Sequence, residues 1–316
     1  MVLKNDYNRS LKKPSAFKRF FSCWEFWLLC LPAIIYFVLF AYWPMFGAVL
    51  AFKDYNYAKG IFGSDWVGFD NFKFFFLSQD AWRITRNTLG YAVVFLVTNT
   101  VASMAVALLM FEVSSRKAIK TYQTVLILPH FMSWVIVGYI TYILFNGEQG
   151  VLNQILSFFG QEKIDWYSSP QYWPFILPIV NIWKSVGMSS LMYYATLVGM
   201  DDSIYEAAVI DGAGRWRQTI SISVPALIPM MTILTIMNVG GIFRSDFGLF
   251  YQITRDVGSL YPTTDVVDTY IYRSMKSVRN LGIPAAAGLL QSVVGCAMVL
   301  ITNKIVKKVS PENTLF

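Results

Sequence analysis

The sequence predicts an all-α, polytopic membrane protein with six transmembrane helices, and three observations lead there. Hydrophobic residues fill 55% of its 316 positions and charged residues only 14%, whereas a soluble domain carries about 25% charged residues. Mainly apolar runs recur six times, each close to the roughly 20 residues that a helix needs to cross a bilayer. Lysine and arginine collect in alternate connections between those runs, the pattern of loops retained on the cytoplasmic side.

The runs lie at 25–51, 88–111, 122–145, 173–199, 226–245 and 284–305. The first follows the basic segment "LKNDYNRSLKKPSAFKRFF". It is far longer than the apolar core of a signal peptide and has no small-residue cleavage site after it, so it reads as a retained helix. Residues 1–24 then form a basic N-terminal segment, 25–306 the membrane domain and 307–316 a tail. With both termini in the cytoplasm, the N-terminal cluster, Arg116, Lys117 and Lys120, and Lys304, Lys307 and Lys308 all fall inside. The connection 247–283 mixes several Arg with Asp on the outside and runs against that bias; the agreement of the two termini decides the orientation. The net charge of +7 is therefore a topology signal, and no aromatic-basic module for nucleic acid accompanies it.

The chain offers no catalytic constellation. Cys23, Cys30 and Cys296 sit at or within apolar runs without metal-ligand spacing and read as small buried apolar residues. The single histidine, His130 in "LILPHFMSW", is either a proton relay or a packed residue beside a proline kink. The phosphate-cradling pattern GxxxxGK[ST] is absent, so the expectation is no metal or cofactor in this chain, and any ATP that drives it is hydrolysed elsewhere.

Counting inward from the helix ends puts Asn99, Asn181, Lys184 and Asn238 near mid-bilayer. Asn181, Lys184 and Ser185 share one helix face, as do Thr235 and Asn238, and Gln291 joins from the outer half of the last run. The amides are either interhelical glue or the lining of a wet pathway. Lys184 needs an anion, a carbonyl or water beside it, whether it lines a pathway or completes a structural pair. The outer loops add Tyr55, Tyr57, Trp66, Phe69 and Phe72, then Trp166, Tyr167, Tyr172 and Trp173, then Tyr261, Tyr270 and Tyr272. Such rings suit the apolar faces of sugars, or form the aromatic belt found at any bilayer interface.

Residues 203–225 break the apolar pattern. Ser203 and Glu206 fit the S-x-x-E capping box. Tyr205, Ala208, Val209 and Gly212 then fall on one helix face, and Gly212 and Gly214 permit a left-handed end. A second short helix starts near Arg215, with Trp216 and Ile220 on one side, and Pro225 and Pro229 mark the start of the fifth span. The expectation is a helix-turn-helix at the cytoplasmic surface whose small residues let another protein approach closely.

Glu206-Ala207-Ala208, Gly212 and Ile222-x-Val224-Pro225 resemble the EAA loop, EAA-x3-G-x9-I-x-L-P, of the membrane subunits of ABC importers, with Val224 in place of Leu as the only departure. The surrounding sequence is similar to maltose-type sugar-uptake permeases. "VGFDNFKFFF", "RNTL", "LPHFMSW", "TTDVVDTYIYR" and "AAAGLLQSVVG" resemble their polysaccharide or oligosaccharide branch. The resemblance implies a permease subunit in a bacterial cell membrane, importing an oligosaccharide. Its implied partners are a second related permease, two ABC ATPase subunits that bind ATP and Mg, and an extracellular solute-binding lipoprotein. In that setting Glu206 is the charged contact to the ATPase, Ala207 and Ala208 the close-packed surface and Gly212 the turn, with Arg215 completing the coupling set. The rival within the same architecture is a non-sugar or anionic solute, at which Lys184 hints. An ion-coupled secondary transporter would call for paired intramembrane carboxylates or inverted repeats, and neither is visible.

Overall fold

The computed structural model describes residues 24–77, 79–278 and 281–309. The basic segment with Cys23 and the end of the C-terminal tail lie outside these residues. The chain divides into two compact units, Met1–Val49 and Leu50–Phe316.

In the first unit, helix α1 (Trp24–Phe37) buries none of its residues, as suits a helix that is apolar all round and solvated by lipid. It passes into a π turn (Val38–Tyr42) and then a 3-10 stretch that begins at Trp43 and ends at Phe52.

The second unit opens with a small antiparallel ribbon, β1 (Lys53–Asp54) against β2 (Asp65–Trp66), in which Lys53 faces Trp66. After α2 (Asp70–Leu77) comes α3 (Gln79–Phe111), which at 33 residues is the longest helix described. It begins about two turns before the expected run because polar residues of its first turns are already engaged: Arg83 bridges Asp80 and the buried Asp265. Along its length α3 packs against α7 (Trp173–Val198), the most extensive helix pair of the unit.

The third expected span is not one helix. Helices α4 (Arg116–Phe131) and α5 (Trp134–Phe145) meet at 99° across Met132 and Ser133. Met132 is extended, and the Ser133 hydroxyl starts the new helix by accepting from Ile136 N–H at 3.4 Å. Hydropathy stays high through the bend, so the run looked continuous. Among the described residues, five helices are long and apolar enough to span, or six if the bent pair counts as one span.

A short helix, α6 (Val151–Phe158), precedes α7, and α8 (Asp202–Ile210) follows it. The fifth span starts earlier than expected and ends sooner. Helix α9 (Arg215–Gln218) runs through a π turn (Thr219–Ser223) into α10 (Val224–Val239) without a break. The widened turn lies just before Pro225, where a proline ring would press on the preceding turn of a regular helix. Residues beyond Val239 leave the helix at Gly240 and Gly241. Helix α11 (Val267–Val278) then leads to the last span, α12 (Gly282–Val309).

Two apolar clusters hold the unit. One gathers Tyr91, Trp173, Leu177, Phe250 and Leu260; the other, toward the opposite ends of α3 and α7, gathers Ala107, Tyr193, Leu197 and Leu227. The aromatic residues of the second outer loop serve the first cluster. Trp173 is fully buried and its Nε1 donates to Trp166 O at 2.8 Å, while Tyr167 OH donates to Ile253 O at 3.1 Å. Trp173 is thus interior packing, and Trp166, Tyr167 and Tyr172 are half-buried against the same cluster. Cys30 and Cys296 are free and exposed on helix surfaces, in contrast to the buried role expected of them.

At Gly187 the backbones of α4 and α7 touch: a β-carbon there would lie 1.9 Å from Leu126 O. Gly187→Val is therefore expected to force these helices apart and to cost about 1–3 kcal/mol or more. A melting temperature unchanged from wild type in the purified complex would contradict this packing.

Candidate functional site

Between the two clusters lies a cavity of about 450 Å³. Helix α3 contributes Asn99, α7 contributes Asn181 and Ser189, α10 contributes Asn238, and the turn after α10 contributes Arg244 and Asp246. The sequence places the amides there through helical spacing. Asn181, Ser185 and Ser189 recur every four residues on α7 and make a polar stripe. The Ser185 hydroxyl lies 2.6 Å from Asn181 O and 3.1 Å from Asn99 Oδ1, joining α7 to α3 at the cavity edge. Of the residues singled out in sequence, the structure thus brings Asn99, Asn181, Ser185 and Asn238 together. Each amide offers a donor and an acceptor, so this part of the wall can hold a hydroxyl-rich solute.

Lys184 is placed elsewhere. Its Nζ donates to the carbonyl oxygens of Pro129, His130 and Met132 at 3.4, 2.8 and 2.7 Å and lies 5.0 Å from the Trp134 ring centroid. Those carbonyls end α4, where a helix leaves acceptors without intrahelical partners and carries partial negative charge. The lysine is a cationic cap for the bend. His130 takes part through its carbonyl, and its side chain is exposed.

Gln291 also stands behind the wall. Its Nε2 donates to Phe243 O at 2.7 Å and reaches Asp268 Oδ2 at 3.4 Å. Ser245 N–H donates to the same Asp268 oxygen at 2.7 Å. Burial pushes the Asp268 carboxyl above its ordinary range, against the hydrogen bonds from Ser245 and Gln291. Asp246 accepts from Trp134 Nε1 at 2.8 Å and from Gly248 N–H at 2.9 Å. Sequence reasoning missed Arg244 and Asp246 because it extended the fifth span to 245. The available signal was the Gly240-Gly241 pair just ahead of them.

The segment with the EAA pattern sits at the far ends of α7 and α10. The residue that caps α8 is Asp201, not Ser203: its Oδ1 accepts from Ser203 N–H at 3.0 Å. That hydrogen bond holds the Asp201 carboxyl below its ordinary range. Ser203 lies inside the first turn because Asp201, two residues upstream, already supplies the acceptor. The helix ends in a Schellman motif, with Ala213 N–H donating to Ala208 O at 2.9 Å, Gly212 N–H to Val209 O at 3.0 Å and Gly212 at φ +77°. Gly214 is extended at φ −67° and ψ 163°, so the left-handed turn belongs to Gly212 alone.

Glu206 and Ala207 are exposed and Ala208 is half-buried. On the inner side Tyr205 OH lies 2.9 Å from Ser223 Oγ, and its ring packs on Phe111 with centroids 5.6 Å apart. Arg215 Nη1 lies 3.6 Å from Glu112 Oε2, an exposed pair that adds little stability but sets the position of α9 beside the end of α3.

A helical bundle around an amide-lined cavity, with a surface helix carrying the EAA pattern at one end, defines a membrane permease subunit of the ABC importer class. The chain belongs to the family of binding-protein-dependent transport system inner membrane components, which matches residues 82–309. It is 36% identical over 288 residues to Protein LplB of Bacillus subtilis (strain 168), covering 90% of this chain and 89% of that protein. It is 33% identical over 286 residues to the polygalacturonan/rhamnogalacturonan transport system permease protein YteP of the same organism, covering 90% and 88%. Among solved structures, it resembles a chain of a bacterial ABC transporter involved in the import of the acidic polysaccharide alginate. There the TM-score is 0.84 and the identity 31%, over 93% of this chain and 99% of that one.

Lys184→Met would strip the cap from the carbonyls that end α4. The expected result is a loss of about 1–3 kcal/mol in stability, seen as a lower melting temperature, with apparent solute affinity unchanged in the complexes that survive. A fully stable complex with weakened affinity would return Lys184 to the pathway.

Proposed function

We propose that this chain imports oligosaccharides as one of two related permease subunits, working with two cytoplasmic ABC ATPases and an extracellular solute-binding lipoprotein. ATP and Mg are bound by the ATPase partners, and this chain supplies no hydrolytic residue. The observation that carries the reading is the convergence of Asn99, Asn181 and Asn238 on one cavity, whose three helices all lead to the coupling segment. The relatives named for polygalacturonan, rhamnogalacturonan and alginate support sugar polymers as the solute class. The cavity wall carries both Arg244 and Asp246, so support for an acidic solute comes from the named relatives.

The route from ATPase to cavity follows the contacts of α8. It connects to α7 through the chain itself, to α3 through Tyr205 on Phe111 and to α10 through Tyr205 and Ser223. Closure of the ATPase pair displaces α8, and the three helices that wall the cavity move with it, changing the side to which the amides open. Glu206, Ala207 and Ala208 meet the ATPase, and Gly212 and Asp201 fix the shape of the segment. In this reading the coupling end, both termini and the basic clusters face the cytoplasm, which the lysine and arginine bias of the sequence supports.

Glu206→Lys and Gly212→Asp are expected to insert and fold normally yet lose solute-stimulated ATP hydrolysis by about tenfold or more in reconstituted complexes. Stimulation at the wild-type level would overturn the coupling assignment. Asn181→Leu removes a donor and an acceptor from the cavity, and uptake assays should show the KM for the sugar rising by about five- to thirtyfold. An unchanged KM would leave the amide as interhelical glue.

A further inference from the structure

At the end of the bundle remote from α8, a second cavity of about 240 Å³ forms where α5 passes the π turn Leu249–Ile253. Tyr139 and Tyr142 come from α5, and Tyr251, Gln252 and Arg255 from the facing segment. None of its lining residues is shared with the central cavity. Arg255 is the one charged side chain in this lining. A wider depression of about 630 Å³ also includes Tyr142 and Arg255 and holds Lys163, Glu148 and Asp165, so Arg255 stands between an inner lining with no other charge and an outer one of mixed charge.

The backbone around Arg255 is unusual. Arg255 and Asp256 have φ of 56° and 53°, two consecutive non-glycine residues in the left-handed region, which persist only where the surroundings fix them. Asp256 accounts for its own half of the turn: its carboxylate accepts from Arg273 Nη1 at 2.9 Å and from Tyr261 OH at 3.2 Å. Arg255 has no comparable anchor. Its guanidinium carbon lies 4.1 Å from the Tyr142 ring centroid, and no carboxylate among the described residues forms an ion pair with it. A guanidinium stacked on a ring keeps its in-plane N–H donors free, and two parallel donors match a carboxylate. The Tyr142 ring is itself braced by Tyr167, 5.8 Å between centroids.

We infer that the cavity between Tyr142 and Arg255 is an outer binding site for the carboxylate of an acidic sugar residue, separate from the central amide cavity. Arg255 takes the carboxylate, the tyrosine rings pack against the apolar face of the sugar and the Gln252 amide meets a ring hydroxyl. The inference rests on the reading of the chain as an oligosaccharide permease and narrows its solute to uronate-containing chains.

The test uses the assembled importer in nanodiscs, titrated at low ionic strength with a galacturonate tetrasaccharide and with its neutral methyl ester. The acid should bind about tenfold or more tightly than the ester. Arg255→Gly suits the left-handed backbone, so it should fold at least as well as wild type while losing that preference; Arg255→Lys should keep part of it. Absence of acid binding, equal binding of acid and ester by wild type, or an unaltered preference in Arg255→Gly would each overturn the site. So would an Arg255→Gly complex that binds the acid normally but no longer docks the solute-binding protein, since Arg255 would then serve a protein contact. Uptake is scored separately: if neither acid nor ester enters proteoliposomes, the oligosaccharide reading falls, while the titration still decides the site.

Discussion

The ammonium of Lys184 makes a sharp bend tolerable inside an apolar run. A helix that ends within lipid depth exposes acceptors that water cannot reach, each costly if unmet. One side chain supplies donors to three of them. The bend in turn places Trp134 at the first turn of α5, where its indole N–H reaches Asp246, and the Asp246 carboxylate starts the π turn by accepting from the Gly248 and Leu249 N–H groups. The shape of one cavity wall therefore depends on a cation that does not itself line the cavity.

At the outer end a second charged assembly does comparable work. Asp265 is fully buried and pairs with Arg83 from α3 and Arg273 from α11, while Asn87 Nδ2 donates to its carbonyl at 3.0 Å. A buried carboxylate is tolerated when it is paired and hydrogen-bonded, and here the pairing ties the loop before α11 to the start of the second span. The end with α8 differs: the Arg215–Glu112 pair there is exposed, and Val209, Ile210 and Trp216 present apolar surface. One end is tied together by buried charge, and the other presents exposed apolar side chains.

Much of this was legible in the sequence, for identifiable reasons. Spanning helices announce themselves by apolar length, the amides by helical spacing, and the coupling segment by a pattern of small and charged residues that lipid would not accept. What escaped depended on contacts between distant residues. Pro129 signalled a disturbance near the third span, yet the break falls at Met132 and Ser133, because Lys184, more than fifty residues downstream, is there to cap the freed carbonyls. Ser203 and Asp201 were both competent caps, and only the backbone path out of α7 chose between them. Trp166 and Tyr167 looked like surface rings because nothing local shows that Asn153 and Ile253 offer them partners.

The contact at Gly187 bears on how motion passes through the bundle. Side chains at an interface can change rotamer and absorb a displacement, whereas two backbones in direct contact have no such slack. Helices α4 and α7 therefore form a strut. At Gly187 neither helix can shift toward the other, so any movement of α7 there must carry α4, and with it the α4–α5 bend.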